Sequence, residues 1–142
     1  MKLTSNDFKQ NQLMDKKFSY RNKNLSPHLK WEKVPGGVKS FAISCNDPDA
    51  PVGDWIHWLI VNIPNNIREI PQGGPIKGLE LQNDFGKKGY GGPAPPSGTH
   101  RYFFKVYALD VPKLDVQGKK KFFKEVDDHT IDSAEIIGLY KT

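Results

Sequence analysis

Two histidines, His57 in "WIHWLIVNI" and His100 in "THRYFFKVYAL", stand at the starts of β-rich stretches. Each follows a loop crowded with glycine and proline, "NDPDAPVGD" at 46–54 and "YGGPAPPSGT" at 90–99. Placed against one another, such segments form two walls of a cleft, with Asp47 and Asp49 of the first loop as a third. Three chemistries use side chains of these types. Two imidazoles and a carboxylate suit zinc or non-haem iron, although the separations Asp47, His57 and His100 match no short metal motif. Nucleophilic catalysis needs a hydroxyl near His100, and Ser97 is the one at hand, but no G-x-S-x-G elbow surrounds it. Anion binding needs only donors, and the two histidines, a tyrosine hydroxyl and backbone N–H groups of a glycine loop all qualify. Against all three stands the plainer reading of His57 as a core histidine bonded to backbone, and of Asp-Pro as a turn former.

The elements that must position these residues read as strands. In 55–63 a period of two puts Trp55, His57, Leu59 and Val61 on one face, and both faces are apolar, so both should be covered. In 100–110 the same period groups His100, Tyr102 and Phe104. "GGVKSFAISC" reads as a turn feeding a strand, with Phe41, Ile43 and Cys45 alternating. The opening segment to Trp31 is polar, and Leu25, Leu29 and Trp31 can anchor it as extended chain around Pro27. Residues 64–100 have little periodicity and hold one short strand around Gly78 to Gln82. A stretch of that length is more often functional than accidental. "KKKFFKEVDDH" places Phe122, Phe123 and Val126 at helical spacing, and "AEIIGLYK" closes as a strand. The expected fold is mainly β, an antiparallel β-sandwich with one short peripheral C-terminal helix.

A chain of 142 residues suits a single domain, 1–142, with a core that needs no disulfide or metal. Cys45 is the one cysteine, so no internal disulfide forms, which fits a reducing compartment. The start "MKLTSNDFKQ" lacks the apolar core of a signal peptide, and the apolar run at 55–63 is too short to span a bilayer. A soluble cytoplasmic protein is expected. The net charge of +5 raises nucleic acid as a partner, but the only arginines are Arg21, Arg68 and Arg101, and arginine is the usual reader of guanine edges. The lysines are scattered outside "GKKKFFK", which favours a solvated basic surface over a nucleic-acid interface.

"NDPDAP", "HWLIVNIP" and "GYGGPAPPSGTHRYFFKVYAL", in that order and at these separations, resemble the phosphatidylethanolamine-binding protein family, also called Raf kinase inhibitor protein-like. "MKLTS…NLSPHLKW" and "HTIDSAEIIGLYK" are similar to its compact bacterial and archaeal branch, so the likeness covers nearly the whole chain. It implies a β-sandwich with a small cavity near one end that takes phosphate, acetate or a phospholipid head group. Carried over motif by motif, the cavity is lined by Asp47, Trp55, His57, Gly92, Ala94, Pro95, Pro96, His100 and Tyr102. Asp47 would hold one imidazole by a hydrogen bond. The family tends to hold a cis peptide in "DPDAP", here Ala50–Pro51. Ala94 stands where animal members have glycine, and Lys23 and Asn24 stand where compact members often carry an acid. The chain stops soon after its last strand, without the long C-terminal helix of the animal proteins, so their kinase regulation is not carried over. The function implied is a non-catalytic pocket for small anions, with no cofactor and no metal. The alternative is an inhibitor or regulator of a protease or kinase that uses the pocket rim as its interface.

Overall fold

The alternating apolar residues build two packed sheets, and the computed structural model describes all residues, 1–142. In chain order the elements are β1 (Lys2–Thr4), β2 (Gln12–Leu13), β3 (Leu29–Glu32), β4 (Ser40–Asp47), β5 (Trp55–Pro64), β6 (Glu69–Ile70), β7 (Leu79–Glu80), β8 (Thr99–Leu109), α1 (Lys119–His129) and β9 (Thr130–Lys141). The large sheet has the order β2-β9-β8-β4-β5-β7 and the small one β1-β3-β6. All pairings are antiparallel except the short β2–β9 contact. The β-sandwich with a single helix is the expected fold. The expected short strand within 78–82 is β7, whereas β1, β2 and β6 were not legible, being too short to establish a period.

Between the sheets lies the main core. Leu29, Trp31 and Ile70 of the small sheet face Phe41, Ile43, Trp58, Ile60, Phe104 and Val106 of the large one. Burying each such side chain stabilises the fold by about 1.5–3 kcal/mol. The opposite face of the large sheet is covered as well. There Ala42, Leu59 and Val61 pack against Leu114, Val116 and the helical pair Phe122 and Val126, four residues apart on one face of α1. The helix ends where the Thr130 backbone and side chain both donate to the Val126 carbonyl, and the chain passes directly into β9.

One sequence expectation fails inside β5, with consequences for the site. Cys45 pairs with Trp58, and the next residue, Asn46, pairs with Ile56, leaving His57 as an extra residue in a β-bulge. A bulge re-aims side chains and shifts the alternation by one. Leu59 and Val61 therefore turn to the helix side with Ile56, while Trp58 and Ile60 join the inter-sheet core. Trp55 and His57 do not share a face with Leu59 and Val61. The cis peptide also lies elsewhere, at Gly74–Pro75 and not at Ala50–Pro51. The 50–53 segment instead reverses through Gly53, which adopts φ 103° and donates its N–H to the Ala50 carbonyl at 3.0 Å.

Candidate functional site

Three strand ends and two loops meet at one end of the sandwich. Asp47 is the last residue of β4, Trp55 the first of β5, and these two are paired across the sheet. His57 lies in the bulge two residues later. From β8, His100 and Tyr102 point inward with Phe104 and Val106 while Arg101 is exposed. The result is a cavity of about 180 Å³ walled by Asp47, Trp55, His57 and His100, by Ala50, Pro51 and Val52 of the first loop, by Ala94 and Pro96 of the second, and by Phe85. That volume is below the roughly 300–1,000 Å³ typical of pockets for drug-sized ligands.

Each histidine has one ring nitrogen engaged. Nδ1 of His57 donates to the Gly91 carbonyl at 2.6 Å, and the Gly91 N–H returns a bond to the His57 carbonyl at 2.9 Å. Nδ1 of His100 is 2.7 Å from Asp47 Oδ2. Asp47 thus holds His100, while its Oδ1 accepts the Asp49 N–H at 2.7 Å. Asp49 in turn binds the Arg101 guanidinium through both oxygens at 2.9 Å. That contact holds the Asp49 carboxyl below the usual carboxylate range, and it ties the first loop to β8.

Burial pushes the His57 imidazole below its ordinary value, against the opposing pull of its bond to Gly91 and the charge of Asp47. Burial likewise pushes the Tyr102 phenol far above its usual range, with the charge of Asp47 acting in the same direction. The Tyr102 ring stands edge-on to His57 with centroids 5.1 Å apart. Its hydroxyl and the Trp55 Nε1 are both buried with no hydrogen-bond partner within 3.5 Å, although the Asp47 carboxylate and the Ala94 backbone lie close enough to the hydroxyl to influence it. Buried donors are normally satisfied, so two orphaned ones packed close behind the same small cavity set this end of the sandwich apart.

The proline-rich loop is fastened from behind. The Tyr90 hydroxyl donates to the Phe18 carbonyl at 2.8 Å, the Gly92 N–H to Asn24 Oδ1 at 2.7 Å, and the Tyr20 N–H to the Pro93 carbonyl at 2.9 Å. Of the residues expected to line the cavity, Asp47, Trp55, His57, Ala94, Pro96 and His100 do so, and three do not. Gly92 packs against the 18–24 segment, where a Cβ would come within 1.9 Å of the Phe18 carbonyl oxygen. Pro95 faces away and its carbonyl accepts the Thr142 hydroxyl. Tyr102 lies behind the wall, fully buried. The glycine N–H groups expected to reach a ligand are engaged as well, Gly91 with His57 and Gly92 with Asn24.

Sequence reasoning missed Phe85, Gly91 and Asn24. Phe85 stacks on Tyr20 at 4.0 Å and sets its edge near Trp55 and His57. Its loop is held by Asn83, whose side chain bonds the Phe85 and Lys87 N–H groups and the Gly89 carbonyl. The "NDFG" stretch, an Asx-turn signature, was the signal available for it. Asn24 stands in the left-handed region at φ 54°, which asparagine tolerates better than most residues. Its side chain clamps Gly92 and the Tyr90 carbonyl. Ser97 is exposed and off the cavity wall. No group of three His, Cys, Asp or Glu side chains is arranged to hold a metal ion, and no helix is long and apolar enough to cross a membrane.

Comparison with known proteins places this geometry in context. Residues 4–141 match the family described as phosphatidylethanolamine-binding protein. The UPF0098 protein YbhB of Escherichia coli K12 is 42% identical, with 99% of each chain covered. Among solved structures, Escherichia coli YbcL, described as a new member of the mammalian PEBP family, superposes with a TM-score of 0.93 at 34% identity, covering 99% of this chain and 98% of that one. A homolog of the same family from Chlamydia trachomatis gives a TM-score of 0.93 at 35% identity, over 99% and 97% of the two chains.

Proposed function

The chain belongs to the phosphatidylethanolamine-binding protein family, and we propose that its His57/His100 cavity is a non-catalytic site for a small oxyanion such as phosphate or a phosphorylated head group. The observation that carries this reading is the convergence on one small cavity of two histidines from different strands, each with Nδ1 engaged and its other ring nitrogen left over. A tetrahedral oxyanion offers acceptors in several directions at once, so it can satisfy donors on different walls. Apolar walls from Phe85, Ala94 and Pro96 limit competition from water, and the fastened loop lowers the ordering cost of binding. Ser97 is exposed outside the cavity, so the site has no serine nucleophile and the chemistry it favours is capture.

Titrating phosphate or phosphoethanolamine into ¹⁵N-labelled protein is expected to move the amide signals of His57, Ala94 and His100. Loss of one hydrogen bond to a charged ligand lowers affinity by about tenfold or more, and that loss is expected in His57→Ala. Unmoved signals at all three residues in millimolar phosphate overturn the proposal.

The rim supports a second reading, a protein partner such as a protease or kinase. Val52, beside Pro51 at the cavity edge, is 79% exposed, the highest value of any large hydrophobic residue in the chain. A partner held through this rim is lost on Val52→Asp and retained in His57→Ala, the reverse of what anion capture requires. Cys45 is unpaired and buried, which is compatible with the cytoplasmic location proposed for the protein.

A further inference from the structure

No lysine or arginine lines the His57/His100 cavity, and the one carboxylate on its wall is Asp47. A site for a dianion that brings no lysine or arginine and one carboxylate is electrostatically unfavourable unless protons enter with the ligand. The hydrogen bonds say where they go. A carbonyl oxygen only accepts, so the contact of His57 Nδ1 with the Gly91 carbonyl at 2.6 Å fixes a proton on Nδ1 in every charge state. Neutral His57 is then the Nδ1–H tautomer, and its remaining nitrogen, Nε2, carries a lone pair. It meets an anion as an acceptor facing an acceptor, and the repulsion is removed only by one proton between them.

We propose that the cavity takes its oxyanion together with one proton, shared between a ligand oxygen and Nε2 of His57. Either the ligand arrives as a monoanion whose P–OH donates to Nε2, or a dianion binds as a solvent proton joins the imidazole. The two routes give the same complex and the same proton count. The groups around His57 fit this division. His100 is engaged with Asp47, and the Trp55 Nε1 and Tyr102 hydroxyl are buried behind the cavity wall. Asp84, on the far side, has one oxygen on the Ile56 N–H and the other on Lys119. Burial keeps free His57 neutral at pH values where an exposed imidazole would already be protonated. The preferred ligand class is therefore a tetrahedral phosphomonoester or phosphonate whose last ionisation lies near neutrality.

This inference rests on the anion-capture reading, and calorimetry with methyl phosphate separates the two. At pH 8 the ligand is a dianion without a P–OH, since the second ionisation of such esters lies at about 6. Titrations in buffers of different ionisation enthalpy are expected to report close to one proton taken up per complex. Affinity should then fall about tenfold per pH unit from pH 7 to 8.5, the slope that one linked proton imposes. In His57→Gln, whose amide does not titrate, proton uptake at pH 8 is expected to vanish and the slope to flatten. Binding of wild-type protein with no uptake and a flat profile overturns the proton linkage while leaving anion capture standing. Absence of methyl phosphate binding from pH 5.5 to 8.5 overturns both.

Discussion

The groove beside α1 encloses about 540 Å³ and the His57/His100 cavity about 180 Å³, yet the two differ more in bonding than in size. Around the groove the polar groups are either engaged or, like Asp127, open to solvent. Tyr107 shares a hydrogen bond with Ser44 at 2.9 Å, Lys124 pairs with Asp128 at 3.0 Å, Thr130 bonds the Val126 carbonyl, and Lys105 lies over the Tyr107 ring. Beside the cavity, the Trp55 Nε1 and the Tyr102 hydroxyl have no partner and both imidazoles keep a ring nitrogen free. A hollow becomes a site through polar groups left unsatisfied where water is scarce, because only there does a ligand supply bonds the protein lacks.

The largest effect should come from the back of the cavity loop. Gly92→Ala forces a Cβ onto the Phe18 carbonyl oxygen, and overpacking against backbone is expected to cost about 3 kcal/mol, read as a lower urea midpoint. An unchanged midpoint would mean the loop is not held as described. A matched pair of tyrosine variants sharpens the contrast at smaller scale. Tyr107→Phe breaks an existing bond to Ser44 and should cost about 1 kcal/mol, whereas Tyr102→Phe removes an unpartnered buried hydroxyl and should be neutral or stabilising. Equal destabilisation by the two would erase the distinction between the regions.

The pH dependence of stability distinguishes them again. The folded-state pKa of His57 is depressed, so its contribution is full above the ordinary histidine value of about 6.5 and is lost as pH falls through the depressed value. Across that window wild type should lose more stability than His57→Gln, measured as urea midpoints at successive pH values. Parallel curves would contradict the assignment. The smallest effect belongs to the groove. Lys124→Ala removes a fully exposed, solvent-screened i,i+4 pair with Asp128 and should leave both the urea midpoint and phosphate binding unchanged.

Much of this was legible in the residues. Periodicity located β8 through its long alternation and α1 through Phe122, Phe123 and Val126, although only Phe122 and Val126 turn out buried and Phe123 is exposed. Motif order brought Asp47, His57 and His100 to one cavity. What periodicity could not reveal was the bulge at His57, since inserting one residue into a ladder leaves composition unchanged and depends on the register of β4. Nor could it assign Gly92, which looks like a ligand-binding glycine in sequence and is a packing glycine in space.

By itself the sequence determined the two stiff loops, the strands that follow them and the placement of histidines at those junctions, because proline, glycine and alternation act locally. Tertiary structure alone decided which side each group faces and which are already satisfied. Gly91 engages the inner nitrogen of His57, Asn24 engages the Gly92 N–H, and the Tyr102 hydroxyl is left without a partner. Hydrogen bonds between residues dozens of positions apart exist only once the sheets have closed, and those bonds separate the wall of a site from its scaffold.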